Sequence, residues 1–356
     1  MRNMGGERVE EAVACAVAAL RQVTDRDWAE VRAAGLEWSC RETAVHITGA
    51  YLRYAGQLAG RADGYRLPIA LRLDEGSSDE DVVRVIEAMG ALLAATVRST
   101  PREVRAYHVF PFHSADRDGF AAMAVTEVLL HTYDITRALG VRFEPSAELC
   151  TYALTRIFPA VRPAADPWAT LLWATGRGEL PGRAPVTEWT WTNNPVIRAE
   201  RLTLEGVTPA AAADLSVGGD GGFVWAGGEP CEGTREAAGM LLKAYEGGVH
   251  RAEWGVFALV RREDGHAVGA MGFHGAPDEQ GSVEVGYDLV EAARGQGYAT
   301  EALRALSAWA LDRAEVTRVF AAVDPDNTAS QAVLERAGFR RVPDEDGERL
   351  GYELRG

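Results

Sequence analysis

The chain has 356 residues, 47% of them hydrophobic and 25% charged, with a formal net charge of −15. These proportions are those of an ordinary globular protein, and the length points to two domains. The charge excludes the basic footprint that nucleic acid or an anionic membrane surface requires, so neither is an expected partner.

The first half reads as helical. Apolar positions Val9, Val13, Val17 and Leu20 mark one face of a helix over residues 7–23. Its apolar run follows Glu10-Glu11 instead of a basic segment, so it is read as a first helix and not as a signal peptide. A second helix spans 39–58, with Ser39 as N-cap and Glu42 at the capping-box position. A third covers 78–97, stopping before Pro101. A fourth covers 120–139, closed by Gly140 as a C′ glycine. Shorter helices are expected over 145–158 and 168–175. Long amphipathic helices joined by connections of mixed length suggest a bundle. Cys15, Cys40, Cys150 and Cys231 form no Cys-x-x-Cys pair, which indicates neither a disulfide framework nor a cysteine zinc site and fits a reducing cytoplasm. No run approaches the ~18 apolar residues of a membrane span.

Between residues 176 and 195 the pattern gives way to Gly, Pro and polar residues, and the domain boundary is placed at 192/193. Beyond it strands and helices alternate. Strands are expected at 201–204, 256–260, 268–273, 285–290 and 319–323, and helices at 209–215, 235–246 and 329–337. Residues 193–356 also carry most of the negative charge, −11 against −4 for residues 1–192. That acidity fits a cationic substrate such as an amine, and equally fits a solubilising surface. The informative stretch is Val285-Gly286-Tyr287-Asp288-Leu289-Val290, then Arg294-Gly295-Gln296-Gly297-Tyr298-Ala299-Thr300, then a helix through Glu301-Ala302-Leu303. A strand, a glycine turn and a helix N-terminus in this order form a nest of backbone N–H groups suited to phosphate. Read alone, the same glycines fit a structural turn equally well.

Residues 196 to the C-terminus resemble the GNAT superfamily, within it the ribosomal-protein-alanine and small-molecule N-acetyltransferases. The matching blocks are Arg201-Leu202-Thr203-Leu204, Glu284-Val285-Gly286-Tyr287 through Leu303, and Asn327-Thr328-Ala329-Ser330 through Gly338-Phe339. The resemblance implies an α/β domain with a mixed, mostly antiparallel sheet, and acetyl-CoA or another acyl-CoA as cofactor. The pyrophosphate is then expected on the backbone of Gly295, Gln296, Gly297, Tyr298, Ala299 and Thr300, with Arg294 as a further contact and Asn327 contacting the cofactor or capping its helix. The strand through residues 285–290 is expected to splay from its neighbour, so that an N–H near Leu289 polarises the thioester carbonyl. Glu284 is a candidate general base for the amine, or a solvated strand residue. Ser330 is a candidate donor to the departing thiolate, or a helix-terminal residue. No role is assigned to His250, His266 or His274.

In the first half, Glu127 and His131 lie one turn apart on one helix, a spacing found at metal sites. With His46 they make a His/Glu/His set that suits zinc best among divalent metals. Residues 10–180 resemble the DinB-like fold, specifically the mycothiol-dependent maleylpyruvate isomerase family. The carrying segments are Trp38–Ile47, Glu127–Gly140 and Leu171–Arg177. That resemblance implies a four-helix bundle, a divalent metal on His46, Glu127 and His131, and mycothiol as a thiol cofactor. Asp134 matches the family's His-x-x-Asp, as an orienting group or a thiol or substrate contact. His108 and His113, flanking Phe110-Pro111-Phe112, are read as loop residues. The expectation is therefore a DinB-like bundle over 1–192 fused to a GNAT domain over 193–356. It would transfer acetyl groups to a small-molecule or protein N-terminal amine, with a homodimer as its expected assembly. In one alternative the bundle is the principal metal- and thiol-dependent S-transferase or isomerase; in another it is a non-catalytic substrate-presenting or dimerisation module.

Overall fold

The computed structural model describes residues 5–109, 114–343 and 349–356. His113 and the Phe110-Pro111-Phe112 segment fall outside them. The chain divides into two compact units, residues 2–193 and 194–356. Among the described residues no helix is long and apolar enough to cross a membrane.

The first unit comprises α1 (Gly5–Leu20), α2 (Cys40–Ala59), α3 (Asp79–Ser99), the short pair β1 (Arg105–Ala106) and β2 (Ala115–Asp116), α4 (Arg117–Ala138), α5 (Ala147–Ile157) and α6 (Pro167–Ala174). Ser39 caps α2 in a full capping box with Glu42, satisfying two of the helix's orphan N–H groups. α4 starts three residues before the expected helix because Asp116 caps it, donated to by the Gly119 N–H at 2.7 Å. It ends in a Schellman closure: Gly140 takes φ 72°, Gly140 N–H bonds the Arg137 carbonyl and Val141 N–H that of Thr136. α4 is buried almost all round from Gly119 to Leu130, which makes it the central helix, packed against α1, α2, α3 and α5. Two tyrosines one turn apart stitch α2 to it. Tyr51 donates to the Ala124 carbonyl at 2.9 Å, and Tyr54 to the Glu127 carboxylate at 3.1 Å.

The second unit runs β3 (Val196–Arg198), β4 (Leu202–Gly206), α7 (Pro209–Ser216), β5 (Val224–Trp225), α8 (Glu232–Gly247), β6 (Val256–Arg261), β7 (His266–Phe273), β8 (Ser282–Leu289), α9 (Tyr298–Leu311), β9 (Arg318–Val323), α10 (Thr328–Ala337), β10 (Arg340–Val342) and β11 (Leu350–Arg355). Its sheet has the order β10-β11-β9-β8-β7-β6-β4-β3, with β5 added parallel to the first residues of β7. The β8–β9 pair is parallel as well, and the remaining pairs are antiparallel. Alternate residues of β8 serve opposite faces of the sheet. Asp288 bonds Thr234 of α8, and Tyr287 bonds Ser330 of α10. β3, β5, β10 and β11 add to the strands expected from the sequence, and α9 starts three residues before the expected helix. His266, expected in a hairpin turn, is instead the first residue of β7.

Candidate active site and candidate metal centre

In the second unit, β8 and β9 are in register only at Ser282↔Arg318, Val283↔Val319 and Glu284↔Phe320. Beyond Glu284 the two strands carry no further pairing. On its other edge β8 stays paired with β7 to Leu289, and the ladder shows which N–H groups each edge uses. His274 N–H bonds the Glu284 carbonyl at 3.0 Å and Val290 N–H the Val268 carbonyl at 3.0 Å. Antiparallel ladders alternate bonded and non-bonded pairs, so the residues between these ends at odd positions turn their N–H groups away from β7. The N–H groups of Tyr287 and Leu289 therefore face the gap where β9 has parted from the strand.

The turn after β8 is built from its own side chains. Arg294 Nε donates to the Leu289 carbonyl at 3.1 Å, and Gln296 Nε2 to the Ala292 carbonyl at 2.8 Å. Gly295 and Gly297 take φ 73° and 83°, values any Cβ would strain. Gly297 caps α9, so the N–H groups of Gly297, Tyr298, Ala299 and Thr300 have no partner within the helix. The Thr300 hydroxyl beside them is buried with no hydrogen-bond partner among the described residues. Arg201 braces the turn, bonding Glu301 at 2.8 Å and the Gln296 carbonyl at 3.0 Å and stacking over Tyr298. Neither the Arg201 brace nor the unpaired Thr300 hydroxyl was anticipated from sequence. Together the groups suit an anionic ligand: backbone donors at the positive end of a helix dipole, closely approachable.

The two candidate proton-transfer residues stand on opposite sheet faces. Ser330 lies in the first turn of α10, its N–H bonded at 3.0 Å to the Asn327 side-chain oxygen, so Asn327 acts as the helix cap. Glu284 lies on the α8 face and contacts His274, Nδ1 to Oε1 at 3.2 Å. That bond holds the Glu284 carboxyl below its usual range and raises the His274 imidazole. A cleft of about 220 Å³ on this face is lined by residues of α8 with His250, Trp254, His274, Gly286, Tyr287 and Asp288. Neither His250 nor His274 carries a sequence motif that marks it for this place. Burial depresses the His250 imidazole to about 4, and its Nε2, like Trp254 Nε1, is buried without a partner among the described residues.

In the first unit, ligand atoms of His46, Glu127 and His131 all lie within 4.8 Å of one another. The Glu127 carboxylate is 3.5 Å from His46 Nε2 and 3.2 Å from His131 Nε2. Burial alone would raise the Glu127 carboxyl, but the two imidazoles outweigh it and hold it far below its usual range. Burial likewise opposes a charged His131, yet Asp134 and Glu127 lift it to about 9. Asp134 is buried, 3.2 Å from His131 Nδ1, and receives two 2.9 Å bonds from Arg177. Its carboxylate is thereby committed to orienting His131, which turns Nε2 toward Glu127. The cluster opens on a cavity of about 470 Å³ lined by Trp38, Arg137, Arg177, Trp189 and Trp191 among others. Three N and O donors facing open space suit a divalent ion such as zinc with free coordination positions.

Residues 201–340 match the acetyltransferase (GNAT) domain model. Among curated relatives, the uncharacterized N-acetyltransferase YjdG of Bacillus subtilis is 41% identical over 81 residues, 23% of this chain and 48% of that protein. YoaA of the same organism is 25% identical over 151 residues, 41% of this chain and 84% of that protein. The chain spans about half the length of the first curated relatives it matches. An acetyltransferase structure from Agrobacterium tumefaciens is 27% identical, covering 48% of this chain and all of that one, with a TM-score of 0.34. A ribosomal L7/L12 α-N-protein acetyltransferase in complex with coenzyme A is 20% identical, covering 45% of this chain and 98% of that one, with a TM-score of 0.33.

Proposed function

We propose that the second unit, which carries a GNAT acetyltransferase domain over residues 201–340, is an acetyl-CoA-dependent N-acetyltransferase acting on a primary amine. The observation that carries the reading is the departure of β8 from β9 after Glu284, which leaves the Leu289 N–H, turned away from β7, facing the gap beside the glycine turn. The N–H groups of residues 295–300 would hold the pyrophosphate of acetyl-CoA, and the vacated edge of β8 its pantetheine. The Leu289 N–H then meets the thioester carbonyl, and such a donor lowers the barrier by about 3 kcal/mol.

The reaction needs few further groups. The amine gives up a proton on the Glu284 side of β8, and its lone pair attacks the acetyl carbonyl carbon. The C–N bond forms and the C–S bond breaks. The sulfur keeps the electron pair and takes a proton from the Ser330 hydroxyl, which solvent restores. The acceptor is a small-molecule amine or a protein N-terminal amine. The test is release of the CoA thiol from acetyl-CoA with a panel of N-terminal peptides, spermidine and an aminoglycoside. Amine-dependent release supports the reading, and release no faster than hydrolysis with every amine rejects it.

For the first unit we infer a DinB-like bundle, domain residues 1–192, that holds a divalent metal on His46, Glu127 and His131. The converging donor atoms and the Arg177–Asp134–His131 chain behind them support this. When bound, the metal supplies Lewis acidity that holds a thiol such as mycothiol as its thiolate. Arg177 fixes Asp134, Asp134 fixes the imidazole, and Tyr54 fixes the second oxygen of Glu127. Metal analysis of wild type and His131→Ala tests the site, and turnover of mycothiol with electrophiles tests its use.

A further inference from the structure

We propose that the proton of the acceptor amine is taken by Nε2 of His274, and that Glu284 is the positioning residue that holds this imidazole. The assignment rests on the acetyl-transfer reading and names the atom on which that reaction depends. His274 follows β7 directly and stands opposite Glu284 on β8, the two joined through the backbone as well as the side chains. The imidazole lies over Gly286, where a Cβ would come within 2.9 Å of Nε2. Gly286 thus gives the ring its place on the α8 face of β8, between Glu284 and Asp288.

Of the pair, His274 lines the cleft and Glu284 does not. The carboxylate faces Nδ1, so the neutral ring keeps its proton there and presents the Nε2 lone pair. The two side chains are 47% and 36% exposed, open to an incoming amine. The charged groups acting on His274 are Glu284, which raises it, and Arg349, which opposes it. Glu236 and Arg251 line the same cleft. In the step, Nε2 accepts the N–H proton as the C–N bond forms, and the imidazolium later releases it to solvent. A base titrating nearer to neutrality than a carboxylate is the better match to this task.

The test is the pH profile of kcat/KM for acetyl transfer from acetyl-CoA to whichever panel amine reacts, with acetyl-CoA binding measured for every variant. His274→Gln is expected to lose about 10²-fold in kcat while still binding acetyl-CoA. Glu284→Gln, which still accepts from Nδ1, is expected to retain most activity and move the acidic limb to lower pH. The reverse pattern, with Glu284→Gln inactive and His274→Gln near normal, overturns the proposal and returns the base role to Glu284. So does a neutral His274 protonated on Nε2 by nitrogen NMR. If wild type transfers acetyl to no amine, the acetyl-transfer reading itself falls, and this assignment with it.

Discussion

The Tyr287 hydroxyl donates to the Ser330 carbonyl at 3.3 Å, tying β8 to the first turn of α10 beyond the last β8–β9 pair. It holds Ser330 beside the gap into which Leu289 turns its N–H. Tyr287→Phe should therefore lower kcat several-fold with little change in acetyl-CoA affinity, and cost about 1 kcal/mol of stability. Ser330→Ala should lower kcat further at the same affinity. Steady-state kinetics with thermal melts check both; unchanged kcat in both variants removes Ser330 from the mechanism.

Gly297 combines φ 83° with the cap position of α9. Gly297→Ala should cost about 1 kcal/mol through backbone strain alone. On the proposed binding mode it should also weaken acetyl-CoA binding by more than tenfold, because the added methyl, 3.4 Å from Arg201, would crowd the N–H groups offered to the pyrophosphate. Calorimetric titration with acetyl-CoA separates the two effects.

His250 gives the second unit a pH dependence. Burial depresses its imidazole to about 4, below the unfolded value near 6.5. A depressed group stabilises the fold fully above its unfolded pKa, and that contribution is lost as pH falls from about 6.5 toward 4. The loss is on the order of 3 kcal/mol. Chemical denaturation across that range should show it, and His250→Phe should flatten the slope. An equal slope in the variant assigns the effect elsewhere.

Asp134 holds His131 by one contact and Arg177 by two. Asp134→Asn should weaken zinc binding by about 10–100-fold, the usual consequence of losing such an orienting carboxylate. His131→Ala should abolish it. Neither should alter acetyl transfer if the sites act independently. Metal content by mass spectrometry, beside an acetylation assay, reads both.

Local relationships were legible in the sequence, and relationships that depend on register were not. Glu127 and His131 are one helical turn apart, and Ser39 and Glu42 are spaced as a capping box, so spacing alone exposes them. The glycine turn before α9 was equally plain. Arg177 meets Asp134 from 43 residues away, through packing that no local pattern encodes. His274 acquires its place only when β7 pairs with β8 in one register and Gly286 leaves room for the ring. A slip of one residue would turn it to the other face. β11 was missed despite a usable signal, since Leu350, Tyr352 and Leu354 alternate with more polar or smaller residues. β5 and β10 are too short, and Arg340-Arg341 too charged, for such a pattern to speak.

The most direct measurement is mass spectrometry of the amine panel after incubation with acetyl-CoA and the intact protein. The β8 geometry and the glycine turn predict at least one amine gaining a single acetyl group, with an equal amount of CoA released. Retention of unmodified amines throughout, with no binding of acetyl-CoA to the protein, would contradict that reading.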